Sequence, residues 1–168
     1  MLCVAANALI SAIVKPPIII GIVIVVAAVI ALLVSQRPQP APAIAFCDKL
    51  PAFAPVAASS ITALKTEDLV AGTGEVAQAG KTAVMQYVGY LPDGQTFDTS
   101  CKAGQPFPVP LGAGQVIKGW DQGIPGMKVG GRRRLLIPAN LAYGSQSPGG
   151  IIPANSPLIF DVELVAVQ

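Results

Sequence analysis

Histidine is absent from this chain. That removes the commonest general base and the commonest metal ligand. Charge is scarce, with 12% of residues Asp, Glu, Lys or Arg, against roughly 25% in an average soluble domain. Aromatic residues make up only 5%, with a single Trp. Of the three cysteines, Cys3, Cys47 and Cys101, no two have the spacing of a zinc site or a redox dithiol. No phosphate loop and no activated nucleophile stands out. A basic field for nucleic acid is also missing: from Ser60 onward eight Lys and Arg stand against eight Asp and Glu. The run Arg132-Arg133-Arg134 is the one cluster of like charge. It reads as an exposed strand edge, with lipid head groups or an acidic partner as the alternative.

Apolar residues are in excess, at 52% of the 168. Much of that excess sits near the N-terminus, where Ile18–Val34 runs 17 residues without charge or proline. At 1.5 Å per residue the run reaches about 25 Å, a little short of a hydrocarbon core of roughly 30 Å. It exceeds the usual apolar region of a cleaved signal, about 7–15 residues, and a helix apolar on every side does not suit a soluble surface. The expectation is an uncleaved signal anchor over residues 1–35. The flanking charges, Lys15 and Arg37, mark orientation weakly. Because nearly all the remaining mass follows the span, a single-pass arrangement with the domain outside the cytoplasm is expected. In such a compartment Cys47 and Cys101 are open to pairing; two free thiols are the other reading.

Residues 36–59 are rich in Pro and Ala and read as a semi-rigid stalk. Phe46 and Phe53 are unusual in such a segment, which suggests docking on the domain that follows. That domain spans residues 60–168, enough for one modest core. Short runs alternate with turn signals and predict mainly β structure. Thr82–Tyr90 is strand-like, with Met85 and Tyr87 on one face and Val84, Gln86 and Val88 on the other. Leu91-Pro92-Asp93-Gly94 is a turn leading to Gln95–Asp98, and Arg134–Ile137 is a further strand. In the last strand Leu158, Phe160, Val162 and Leu164 face in, while Asp161 and Glu163 face out, at the period of two. Val116–Gly123 predicts a short helix around Trp120. The fold class is α+β.

Read in order, the motifs are Tyr87-x-Gly89-Tyr90, Asp93-Gly94-x-x-Phe97-Asp98-x-Ser100, Gln105-Pro106-Phe107, Val116-Ile117-Lys118-Gly119-Trp120, Gly126-Met127-Lys128-x-Gly130, Ala142-Tyr143-Gly144, Gly150-Ile151-Ile152-Pro153 and Phe160-x-Val162-Glu163-Leu164. Together they resemble the FKBP-type peptidyl-prolyl isomerases, the immunophilins that bind macrolide immunosuppressants. The resemblance runs from about Thr66 to Val167. It implies a curved antiparallel sheet of about five strands wrapped round one short helix, with a pocket between them. Trp120 would floor that pocket. Tyr87, Phe97, Val116, Ile117, Tyr143, Ile152 and Phe160 would wall it, with Asp98 at the rim and Phe107 entering from a loop. The Ile117 N–H and Tyr143 hydroxyl would hold substrate carbonyls. Neither cofactor nor metal is implied. Partners would be proline-containing unfolded or nascent proteins and macrolides of the FK506 or rapamycin type, with the membrane engaged through the N-terminal helix. Val109 stands where many relatives carry a second aromatic, and Gln115 replaces a frequent acid, which bears on substrate preference.

The expected activity is acceleration of rotation about X-Pro bonds without covalent catalysis. Such a bond has a barrier of about 18–20 kcal/mol, and no proton need be removed, so Asp98 is not read as a general base. The alternative is a catalytically weak binding or chaperone module on the same fold. Taken singly, each aromatic would pass as core, and Asp98 as a turn cap.

Overall fold

The computed structural model describes residues 44–47, 53–146 and 148–168. Six strands appear in chain order: β1 (Lys65–Val70), β2 (Thr82–Tyr90), β3 (Thr96–Thr99), β4 (Phe107–Pro110), β5 (Arg132–Ile137) and β6 (Leu158–Val167). Two short helices, α1 (Ile44–Cys47) and α2 (Lys118–Gly123), and three 3-10 turns accompany them. The strands form one antiparallel sheet in the order β1-β5-β6-β2-β3, with β4 also on β2. Register shifts within β1, at Gly89/Tyr90 and at Val84/Met85 bend it.

The sheet has six strands, not about five, because β3 and β4 divide one edge of β2 between them. β4 pairs with Thr82–Met85 and β3 with Val88–Tyr90. Pro108 and Pro110 are tolerated in β4 because an edge strand need not donate on its open side. β1 carries no alternation; five of its six residues are exposed. α2 begins at Lys118, two residues later than the pattern Val116–Gly123 suggests, because Ile117, its N-cap, is non-helical with ψ 144° and Val116 lies in a bend.

The inner face of the sheet and α2 enclose the main core, built on Met85, Leu135, Ile137, Leu158, Val162 and Leu164, all fully buried. Gly119 and Gly123 let α2 lie directly on β5. A Cβ on Gly119 would run into the Ile137 side chain, and one on Gly123 would sit 2.8 Å from Leu135 Cδ2.

The outer face is covered by the chain that precedes the domain. Phe46, 1% exposed, packs with Ile61, Val88, Tyr90 and Ile159. Phe53 stacks on Tyr90 with ring centroids 5.0 Å apart, and the Val56 N–H donates to the Pro92 carbonyl at 2.9 Å. The docking suggested for Phe46 and Phe53 is therefore present. Cys47 is joined to Cys101 by a disulfide, with Cα atoms 5.9 Å apart, so the reading as two free thiols is corrected.

Two further expectations change for the same reason. Asp161 and Glu163 do point away from the core, but they are buried, Asp161 to 1% exposure. The Arg run is not a strand edge either, since β5 lies between β1 and β6. Arg134 holds Asp161 through two hydrogen bonds of 2.7 Å, Arg132 meets Glu163 at 3.4 Å, and Arg133 pairs with Asp68 at 2.6 Å. The Arg132 and Arg134 guanidinium carbons each lie 5.3 Å from a ring centroid, Phe46 and Phe53 respectively. Burial pushes the Glu163 carboxyl up, and Arg132 pulls it partly back.

The expected membrane helix at Ile18–Val34 lies outside the described residues, as do the whole of residues 1–43 and 48–52. Among the described residues no helix is long and apolar enough to cross a membrane.

Candidate active site

The inner face is not filled to its end. Between α2 and the β2–β3 side of the sheet an open cleft of about 400 Å³ remains, within the usual range for ligand pockets. Its floor is Trp120, 4% exposed. The indole is wedged edge-on between Tyr87 and Phe160, with centroids at 5.2 and 5.1 Å. Phe97 meets Phe160 edge-on at 5.4 Å, and Phe107 meets Tyr87 at 6.0 Å. Edge-to-face contacts of this kind fix ring orientation as well as position. The Trp120 Nε1 is buried and has no hydrogen-bond partner. Leaving such a donor unpaired costs about 1–3 kcal/mol.

Strand periodicity brings Tyr87 and Phe160 to this face from β2 and β6. Gly89 supplies what neither strand could otherwise allow. A Cβ there would lie 2.6 Å from the Phe97 ring and 2.9 Å from Phe160. The glycine is thus the hole into which the two rings close. Its motif was visible in the sequence; its reason was not.

The polar groups gather at one side of the rim. Tyr87 Oη donates to Asp98 Oδ2 at 2.7 Å, and the Thr99 N–H donates to Asp98 Oδ1 at 2.8 Å. Burial pushes the Tyr87 phenol well above the usual tyrosine range, and the Asp98 carboxylate adds to it. Tyr143 also lines the cleft, 39% exposed, with its phenol raised first by burial and then by Asp98. Both phenols are therefore donors at neutral pH. Opposite them, Gly114, Gln115, Val116 and Ile117 form a wall. Asp121 holds that wall, accepting the Gly112 and Gly114 N–H groups at 2.9 and 3.1 Å. Both glycines have positive φ, 76° and 66°, conformations that few other residues adopt. Ile117 ends the wall, its carbonyl accepting the Trp120 N–H at 2.9 Å.

A family model described as FKBP-type peptidyl-prolyl cis-trans isomerase matches residues 74–165. The chain belongs to that family. FK506-binding protein 4 of Aspergillus fumigatus is 52% identical over 108 residues, which is 64% of this chain but 22% of that longer protein. An FK506-binding protein of Neisseria meningitidis serogroup A is 50% identical over 101 residues, covering 60% of this chain and 93% of that one. Among solved structures, the crystal structure of AtFKBP13 superposes with a TM-score of 0.57 at 40% identity, over 62% of this chain and 93% of that chain.

Against the FKBP-type expectation, the cleft collects Tyr87, Phe97, Asp98, Phe107, Val116, Ile117, Trp120, Tyr143 and Phe160. Ile152 is not among its lining. It is 9% exposed and packed into the main core cluster, whereas Ile151 is 46% exposed. Gln115, read as bearing on substrate preference, lines the cleft, and so does Gly114, which the sequence did not single out. The family-model match, residues 74–165, does not include the covering segment that carries Phe46 and Phe53.

Proposed function

We propose that this chain is a peptidyl-prolyl cis-trans isomerase that acts on X-Pro bonds of folding client proteins, held at a membrane with its domain outside the cytoplasm. The observation that carries the catalytic part is the open, indole-floored cleft with a tyrosine–carboxylate pair at its rim.

The chemistry follows from what surrounds the substrate. A planar amide is more charge-separated than the twisted transition state. An environment of aromatic edges solvates the planar form poorly, so it raises the ground state more than the transition state. Each tenfold of acceleration requires about 1.4 kcal/mol of that difference. In this reading the Tyr143 hydroxyl and the Ile117 N–H donate to substrate carbonyls flanking the proline and hold them out of the amide plane. Asp98 fixes Tyr87 and lends negative potential to the rim; it moves no proton. Macrolides of the FK506 or rapamycin type would occupy the same cleft.

Two observations support the location. Residues 18–34 are apolar throughout and, at 17 residues, meet the lower end of the length range for a membrane span, about 17–25 residues. A Cys47–Cys101 disulfide belongs to an oxidising compartment. The test joins both claims. Protease treatment of intact membranes should release the domain only from the extracytoplasmic side, and the fragment should accelerate cis-to-trans exchange in a proline tetrapeptide. A folded fragment that gives the uncatalysed rate, yet suppresses aggregation of an unfolded protein, would replace the enzyme with a binding module. Cleavage only after lysis would reverse the topology.

A further inference from the structure

The ladder between β2 and β3 stops at Val88, which pairs with Thr99. Tyr87, the next residue and a wall of the cleft, would be left with its main-chain groups open on that side. Two side chains take them instead. The Tyr87 N–H donates to Ser100 Oγ at 2.9 Å, and the Tyr87 carbonyl accepts Thr99 Oγ1 at 3.0 Å. Ser100 is 5% exposed and its hydroxyl donates to Gln86 Oε1; Gln86 is itself 1% exposed and lies on the outer face of β2. Thr99 Oγ1 also accepts the Cys101 N–H at 3.1 Å, starting the 3-10 turn Ser100–Ala103.

These bonds close a circuit around one residue. The Tyr87 side chain reaches Asp98, the Asp98 carboxylate takes the Thr99 N–H, and Thr99 and Ser100 return to the Tyr87 main chain. The Tyr87 main chain is thereby held by Thr99 and Ser100, and its hydroxyl by Asp98.

We propose that Ser100, backed by Gln86 and flanked by Thr99, is a positioning residue for the isomerase site, holding the Tyr87 main chain so that its hydroxyl stays on Asp98. Ser100 touches no substrate. Removing its hydroxyl strips an acceptor from a buried N–H and a donor from a buried amide oxygen, a cost that unpaired groups do not recover from water.

This inference rests on the isomerase reading, and the test keeps the two apart. Ser100→Ala should lower kcat/KM about tenfold, the equivalent of about 1.4 kcal/mol, with the loss in kcat. Thr99→Val should act the same way and more weakly, about threefold on the same scale, and Thr99→Ser should restore the parent rate. In a Tyr87→Phe background, where no hydroxyl remains to be placed, Ser100→Ala should cost less than about twofold more, since groups in one network do not add. Amide exchange is the arm that needs no activity: the Tyr87 amide should exchange about tenfold faster in Ser100→Ala while Met85 stays protected. Multiplying effects in the double variant, or an unchanged Tyr87 amide, overturns the proposal. If Ser100→Ala does not fold, Thr99→Val and its double with Tyr87→Phe decide by the same criterion. A parent chain with no isomerase rate ends the catalytic reading, and the amide exchange still reports whether Ser100 holds Tyr87.

Discussion

The two faces of one sheet are built by opposite rules. On the inner face the apolar side chains stop short of filling their space, an indole N–H is left without an acceptor, and the rim phenols stay exposed enough to reach a partner. On the outer face Asp161 and Glu163 are buried against Arg134 and Arg132, those guanidinium groups lie against Phe53 and Phe46, and a disulfide closes the cover. The same strands, β5 and β6, supply both faces, residue by alternate residue. The inner face holds capacity for a ligand; the outer face has spent its own on the segment preceding the domain. If that contrast is right, damage to the outer face should show in stability and damage to the inner face in rate.

The largest effect should come from the disulfide. It closes a loop across a sequence separation of 54. Loop-closure entropy then gives about 4 kcal/mol of stabilisation as an upper value. Reducing it, or replacing Cys47 and Cys101 by Ser, should lower the urea midpoint by the corresponding amount. The tetrapeptide rate per folded molecule should stay within about twofold. A large rate loss at unchanged stability would break the division between the faces.

Next comes Arg134. Replacing it with Met leaves the Asp161 carboxylate buried without its partner, at a cost of about 3 kcal/mol in denaturant unfolding. Arg134→Met combined with Asp161→Leu should recover most of that loss, because an apolar pair needs no compensation. If the double variant is as unstable as the single, the Phe53 contact rather than the ion pair holds this corner.

On the inner face the effect should move to the rate. Tyr143→Phe keeps the ring and removes the hydroxyl at the rim, where water can take its place, so stability should change by less than about 0.5 kcal/mol. The rate should fall about five- to tenfold, roughly 1 kcal/mol of transition-state stabilisation. A parent-like rate would remove Tyr143 from the mechanism and leave the apolar cleft alone to explain it.

How much of this was legible in the sequence depended on periodicity. β6 alternates so regularly that Phe160 and Val162 could be assigned inward and Asp161 outward without coordinates. Whether an outward residue is wet is a different question. The answer lay about a hundred residues earlier, in Phe46 and Phe53, and a strand pattern carries no information about what covers it. The Arg run was misread for the same reason: three like charges look solvated until their partners on β1 and β6 are known. β1 and β4 escaped detection because one is too exposed to alternate and the other carries two prolines. The cleft was legible where its residues sit on strands, at Tyr87 and Phe160. In the loop, neighbouring Ile151 and Ile152 look alike in sequence, and only the turn decides which is buried. The cysteine pair needed a distance that no spacing rule supplies.

The smallest and slowest-varying effect separates the faces by pH. All three tyrosines have phenols raised above their ordinary value, Tyr87 and Tyr143 on the inner face and Tyr90 on the outer, in each case by burial first. A raised phenol keeps its proton in the folded chain at a pH where the unfolded chain has lost it. Its contribution to stability is therefore complete below the unfolded value of about 10 and is lost as pH climbs through the folded one. Stability should be flat from pH 7 to about 9 and decline from about 10 upward. With no histidine in the chain, the isomerase rate should be equally flat across the neutral range. The cleft should account for most of the alkaline decline, since burial and the Asp98 carboxylate both oppose ionisation of its phenols, whereas at Tyr90 the burial and the Asp161 carboxylate that oppose it are partly offset by Arg134. Tyr90→Phe should leave the steepness of the decline nearly unchanged, and Tyr87→Phe should flatten it most. If Tyr90→Phe flattens it instead, the outer face is the more tightly closed to charge, and the opening between Trp120 and the rim is wetter than its aromatic lining implies.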